Sequence, residues 1–76
     1  MKVIVCGAGQ VGFGIARQLA EEKNSVTVID QSPELIQRVV DALDVQAIQG
    51  HGSHPDVLEQ AGAREADMLI AVTFSD

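Results

Sequence analysis

The chain has 76 residues, 46% of them hydrophobic and 21% charged, with 7 Gly and only 2 Pro; that allows one domain at most and excludes a fibrous repeat or a disordered tail. Its 11 acidic residues against 5 basic give a net charge of −6, which opposes long-range attraction to nucleic acid or to an anionic membrane surface, and no Lys/Arg cluster offsets it. The first apolar run is too short for a signal-peptide core, and the longest later one, residues 68 to 72, falls far below the roughly 20 residues of a membrane helix, so the chain reads as soluble and cytoplasmic, without direct membrane insertion.

Residues 2 to 6 (KVIVC) form an apolar, β-branched run ended by glycine, which suits a strand buried on both faces. Cys6, the single cysteine, reads there as a small buried hydrophobe. A helix follows from Gln10 to about residue 23, with Val11, Ile15 and Leu19 at helical spacing, Ala16 and Ala20 beside them, and Arg17, Gln18, Glu21 and Glu22 on the opposite face. Asn24 and Ser25 supply a turn. Residues 26 to 29 (VTVI) form a second strand ended by Asp30. Ser32 then reads as an N-cap, Pro33 as the first helical residue and Glu34 as an acid in the first turn of a helix whose stripe is Leu35, Ile36, Val39, Val40 and Leu43.

A third, shorter strand spans residues 45 to 48 and leads into the loop GHGSHP. The next helix runs to about Ala61 and stops at Gly62, with Ser53 and Asp56 as a capping box. Residues 68 to 72 are a fully apolar fourth strand, followed by Thr73-Phe74-Ser75-Asp76. This alternation predicts an α/β, Rossmann-like, doubly wound parallel sheet with right-handed crossovers and strand order 3-2-1-4. Residues 1 to 76 then correspond to the N-terminal part of a larger dinucleotide-binding domain, truncated after its fourth strand. The outer edge of that strand is expected to lack a neighbour, so that the isolated chain associates through it or is only marginally stable.

The glycines of VIVCGAGQVGFG are spaced Gly7-x-Gly9-x-x-Gly12. They follow a predicted strand, open a predicted helix, and precede an acid, Asp30, 18 positions after Gly12; together these features are the dinucleotide fingerprint. Gly7 allows the tight turn, Gly9 lets a pyrophosphate approach the backbone, and Gly12 lets the helix pack closely. The pyrophosphate's charge would rest on the amides that open the helix.

Asp30 would accept hydrogen bonds from the ribose hydroxyls, and its charge repels a 2′-phosphate. No Arg or Lys stands in residues 31 to 37, which favours NAD(H) or another adenosine nucleotide over NADP(H). His51 and His54 fall short of a four-ligand metal pattern, and read either as loop residues at the adenosine end of the crevice or as residues of the loop and helix cap. Thr73 follows the fourth strand, where the strand order reverses. No nucleophile, base and orienting group occur together, so no catalytic residue is assigned.

The chain resembles the N-terminal nucleotide-binding module of TrkA-like potassium uptake regulators, the RCK or KTN domains. The likeness runs through MKVIVCGAGQVG, the VTVID that ends in the acid, QGHGSHPDVLEQAGA and the closing ADMLIAVTFSD, in order and spacing. GHGSHP is the most specific of these, because many broader relatives carry an acid where His51 stands. The resemblance implies a non-enzymatic regulatory subunit that binds NAD(H), with ATP or ADP as further candidates. It also implies homo-oligomers, dimers building a ring, attached at the inner face of the membrane to a Trk-type potassium transporter that nucleotide binding gates. Gly7, Gly9, Gly12 and Asp30 map directly onto the family's motif, with His51, Ser53 and Thr73 as weaker carry-overs. The full set of expected nucleotide contacts adds Ala8, Gln10 and Val11 around the turn, Gln31 after the acid and Gly52 in the loop. Gln10 stands where some relatives have an arginine that meets an extra phosphate, which weakens any preference for a triphosphate. A dehydrogenase fragment would use the same fingerprint, and a structural module with an empty crevice is a third reading.

Overall fold

Residues 1 to 52 and 54 to 72 are described in a computed structural model. Among them the chain runs β1 (Lys2–Cys6), α1 (Gln10–Glu21), β2 (Ser25–Asp30), α2 (Pro33–Ala42), β3 (Gln46–Gln49), α3 (Pro55–Gln60), a 3-10 turn (Ala63–Glu65) and β4 (Met68–Ala71). The strands form one parallel sheet in the order β3-β2-β1-β4. This is the expected doubly wound order, and it makes β1 a central strand from which the sheet grows first one way and then the other.

Alternation along the strands divides the core in two. Val3 and Val5 of β1 and Val26 and Val28 of β2 are buried with Ala16 of α1 and Val39 of α2, on the face those two helices cover. Ile4 and Ile29 are buried on the opposite face. Asp67 fixes where β4 enters the sheet: its carboxylate accepts from the Lys2 backbone N–H at 2.8 Å, and its own N–H donates to the Lys2 carbonyl at 2.8 Å. Met68 and Leu69 of β4 stay 45% and 52% exposed, one on each face of the sheet.

Several boundaries differ from the sequence-based reading, each for a local reason. Helix α1 ends at Glu21, two residues early, because Asn24 turns back on it: the backbone N–H and the side-chain amide of Asn24 both donate to the Leu19 carbonyl, at 3.1 and 3.0 Å. Lys23 takes up the reversal with φ of 69°. Ser25 is therefore not part of the turn. It opens β2, and its N–H donates to the Met1 carbonyl at 2.9 Å. Strand β3 is shifted one residue later than expected, in register with Thr27 through Asp30, and β4 ends at Ala71, although the Val72 N–H still donates to the Cys6 carbonyl.

Val11 and Val40, placed on the apolar helix stripes by spacing, are 52% and 49% exposed. In α1 the buried positions are Gly12 and Ala16; the close seating of Gly12 aims that row at the sheet and leaves Val11 at the helix margin. Ser32 caps α2 as expected, its Oγ accepting from the Leu35 N–H at 3.3 Å with Pro33 as the first helical residue. For α3 the N-cap is His54, with no side-chain cap bond. Ser53, the expected member of a capping box, lies outside the described residues. Gly62 follows α3 in the left-handed conformation, φ 84°.

Candidate functional site

The site forms where the carboxyl ends of β1, β2 and β3 meet. Gly7 ends β1 with φ of +115°, a conformation that side chains disfavour, and a Cβ there would stand 2.7 Å from the Val72 carbonyl oxygen. Gly12 is constrained differently. Any Cβ on it would overlap the carbonyl oxygen of Gly7, so the first turn of α1 lies directly on the strand-to-helix turn. The N-cap of α1 is Gly9, which has no side chain to bond the first-turn amides, and no acid stands in that turn. Such a helix start suits a phosphate group, whose charge would meet backbone N–H groups and the positive end of the helix.

Asp30 stands at the centre of the loops. Its Oδ2 accepts from the Ala8 N–H at 2.8 Å and its Oδ1 from the Ser32 N–H at 2.8 Å. Its backbone carbonyl accepts from the Gly50 N–H at 2.9 Å. One residue thus ties together the β1–α1 turn, the β2–α2 turn and the start of the loop after β3. A carboxylate offers about four lone-pair positions, so the two N–H bonds leave capacity for ribose hydroxyls.

A cavity of about 360 Å³ opens beside Asp30, within the range of small-ligand pockets. It brings together five of the expected residues: Gly7, Asp30, Gln31, His51 and Gly52. Ala8 is buried and meets the site through its backbone. Gln10 and Val11 line a separate surface groove with Ile15, Leu19 and Ile70, between α1 and β4. Ser53 and Thr73 lie outside the described residues.

The cavity also has walls not expected from the sequence: Cys6, Ile29 and Gly50, with Leu69, Ala71 and Val72 across the sheet. Period-two alternation carried a signal for four of them, since Cys6 pairs with Ile29 and Ala71, and Leu69 lies beside Ile4 on the same face. Cys6 is half-buried rather than enclosed. Burial pushes its thiol up from the ordinary range, and its sulfur forms a polarizable wall of the cavity.

Two features bear on selectivity. No Lys or Arg lines the cavity among the described residues, and Arg38, the first arginine after Asp30, lies over the Phe13 ring at 4.9 Å. Among the described residues, no Lys or Arg side chain therefore stands beside the Asp30 carboxylate in the cavity. His51 and His54 stack with ring centroids 5.0 Å apart and planes 16° from parallel, and no group of three or more metal-ligating side chains occurs among the described residues.

Gly52 sits close over the apolar floor. A Cβ there would come within 3.2 Å of both the Cβ and the Sγ of Cys6. We expect Gly52→Val to fill part of the cavity and weaken adenosine-nucleotide binding by roughly tenfold, about 1.4 kcal/mol. Calorimetry beside a thermal melt checks this, and unchanged affinity in a folded variant would count against this cavity as the nucleoside site.

A glycine turn feeding a helix, an acid at the end of the second strand and a crevice where the strand order reverses define the class of Rossmann-like nucleotide-binding folds. The TrkA-N domain family model matches residues 3–76, and the chain belongs to that family. A protein of Azorhizobium caulinodans named Trk system potassium uptake protein TrkA is 63% identical over 76 residues, and one of the same name from Vibrio alginolyticus is 47% identical. Each alignment covers 100% of this chain and 17% of the relative, so the chain spans about a sixth of those proteins. Among solved structures, the Kef CTD of Shewanella denitrificans in its AMP-bound form superimposes with a TM-score of 0.83 at 27% identity, over 99% of this chain and 44% of that one. No helix among the described residues is long and apolar enough to cross a membrane.

Proposed function

We propose that this domain is the nucleotide-sensing part of a regulatory subunit that binds NAD(H), or ADP or ATP at the same site, and thereby gates a Trk-type potassium transporter. The observation that carries the proposal is the Asp30 carboxylate, set at the end of β2 between the glycine turn and a 360 Å³ cavity. Asp30 would hold the ribose, the start of α1 would hold the phosphates, and His51 with Gly52 would border the base. The AMP named in the Shewanella structure supports an adenosine nucleotide, and the names of the curated relatives support potassium uptake. Those names also weigh against the dehydrogenase reading, for which no catalytic group is assigned.

In this proposal the protein works from the cytoplasmic side as a homo-oligomer, dimers building a ring, held to the membrane by its transporter. Gating requires the nucleotide to bind one state of that assembly more tightly than another, since equal affinity shifts nothing. Potassium flux through the transporter reconstituted in vesicles with the full-length protein tests it. We expect NADH or ADP to change the flux by roughly fivefold or more, the ordinary range of allosteric coupling. Flux indifferent to every adenosine nucleotide would end the proposal.

A further inference from the structure

We propose that Asp30 is also the positioning residue of the phosphate turn, holding the backbone between Gly7 and Gly9 through the Ala8 N–H independently of any contact with ribose. This rests on the nucleotide-binding reading above and extends it. Ala8 is 1% exposed, and its N–H donates to Asp30 Oδ2 at 2.8 Å across 22 residues of sequence. Asp30 is itself anchored, because its other oxygen accepts from Ser32 and its carbonyl from Gly50.

Ionised acceptors make short, strong hydrogen bonds, and a buried amide that loses its partner is costly. The Asp30 side chain is therefore a strut that sets the height of the glycine turn above the sheet, and with it the aim of the amides that open α1. Ribose binding and phosphate binding become coupled through one carboxylate.

The sign of one effect separates this from a role in ribose recognition alone. Removing a negative charge beside an anionic ligand strengthens its binding if nothing else changes. A ligand without ribose hydroxyls would then bind the Asp30→Asn variant as well as the wild type, or better. If Asp30 positions the turn, the same ligand binds the variant worse. A carboxamide has one acceptor oxygen where the carboxylate has two, and its NH2 group can only donate, so it cannot serve the Ala8 and Ser32 amides as the two carboxylate oxygens do.

The experiment measures ADP and 2′,3′-dideoxy-ADP binding by calorimetry on full-length wild type and Asp30→Asn, with hydrogen exchange of the Ala8 amide in the ligand-free proteins. We expect Asp30→Asn to weaken dideoxy-ADP by roughly tenfold, the scale of one charge-assisted hydrogen bond. We also expect Ala8 exchange to quicken by about the same factor while the core amides of Val5 and Val28 keep their protection. Dideoxy-ADP affinity that is unchanged or higher in the variant overturns the inference and leaves the nucleotide reading intact. Wild type that binds neither ligand overturns both. Should Asp30→Asn fail to fold, the wild type still decides: Ala8 exchanging at the rate of an unstructured peptide overturns the inference, and slow exchange that matches Ser32 supports it.

Discussion

Gly12→Ala is expected to lower the melting temperature by about 10 °C. The added Cβ overlaps the carbonyl oxygen of Gly7 and falls 2.8 Å from its carbonyl carbon. Those are backbone atoms, so no side chain can swing aside. Either α1 lifts from the sheet or the β1–α1 turn moves. Lifting α1 would loosen Ala16, fully buried at its centre, from Val5 and Val28. Overpacking in a core costs about 1–3 kcal/mol, and in a domain of this size each kcal/mol is about 4–8 °C. Gly14→Ala is the control, because a Cβ there meets nothing within 4 Å, and alanine is the better helix former. Paired thermal melts check both, with Gly14→Ala expected to be neutral or mildly stabilising. Equal melting temperatures for Gly12→Ala and wild type would show that the turn and helix are not seated as described.

Asp30→Ala is expected to weaken NAD+ binding by roughly 30- to 100-fold. The variant loses the acceptor for ribose hydroxyls and the two N–H bonds that hold Ala8 and Ser32. Hydrogen bonds to charged groups contribute about 1.5–3 kcal/mol each, and the contributions of groups acting together do not add in full. Stability should fall as well, since the Ala8 amide is left buried without that acceptor. Calorimetry on the folded variant, at a temperature well below its melt, separates the two effects. Affinity within threefold of wild type would remove Asp30 from the binding site.

The sequence makes the order of the fold legible because the signals for it are local. Short β-branched runs, a proline after Ser32 and glycines at the turns each act over a few residues, and the parallel order follows from right-handed crossovers. The acid at position 30 and the glycine turn are legible for the same reason. Contacts across the fold are less so. Spacing alone puts Val11 on the inner face of α1, but Gly12 seats the helix against Gly7 and turns Val11 out. Ser25 has turn chemistry, yet the double capture of the Leu19 carbonyl by Asn24 ends the turn before it.

The cavity shows the same division. Asp30 is found from its place in the chain, but its bond to Ala8 joins residues 22 positions apart and has no mark in either segment. Cys6 reads as a core residue because it ends a buried strand. It faces the cavity because Gly52, which has no side chain, crosses above it.

We propose that this crevice takes an adenosine nucleotide lacking a 2′-phosphate. Calorimetric titration of the full-length protein with NAD+, NADH, ADP and NADP+ under one set of conditions decides it. The expected result is binding of NAD+, NADH or ADP well below millimolar, with NADP+ weaker by at least about tenfold because no Lys or Arg among the described residues lines the cavity beside Asp30. The contrary result is NADP+ binding best, or no nucleotide binding at millimolar concentration.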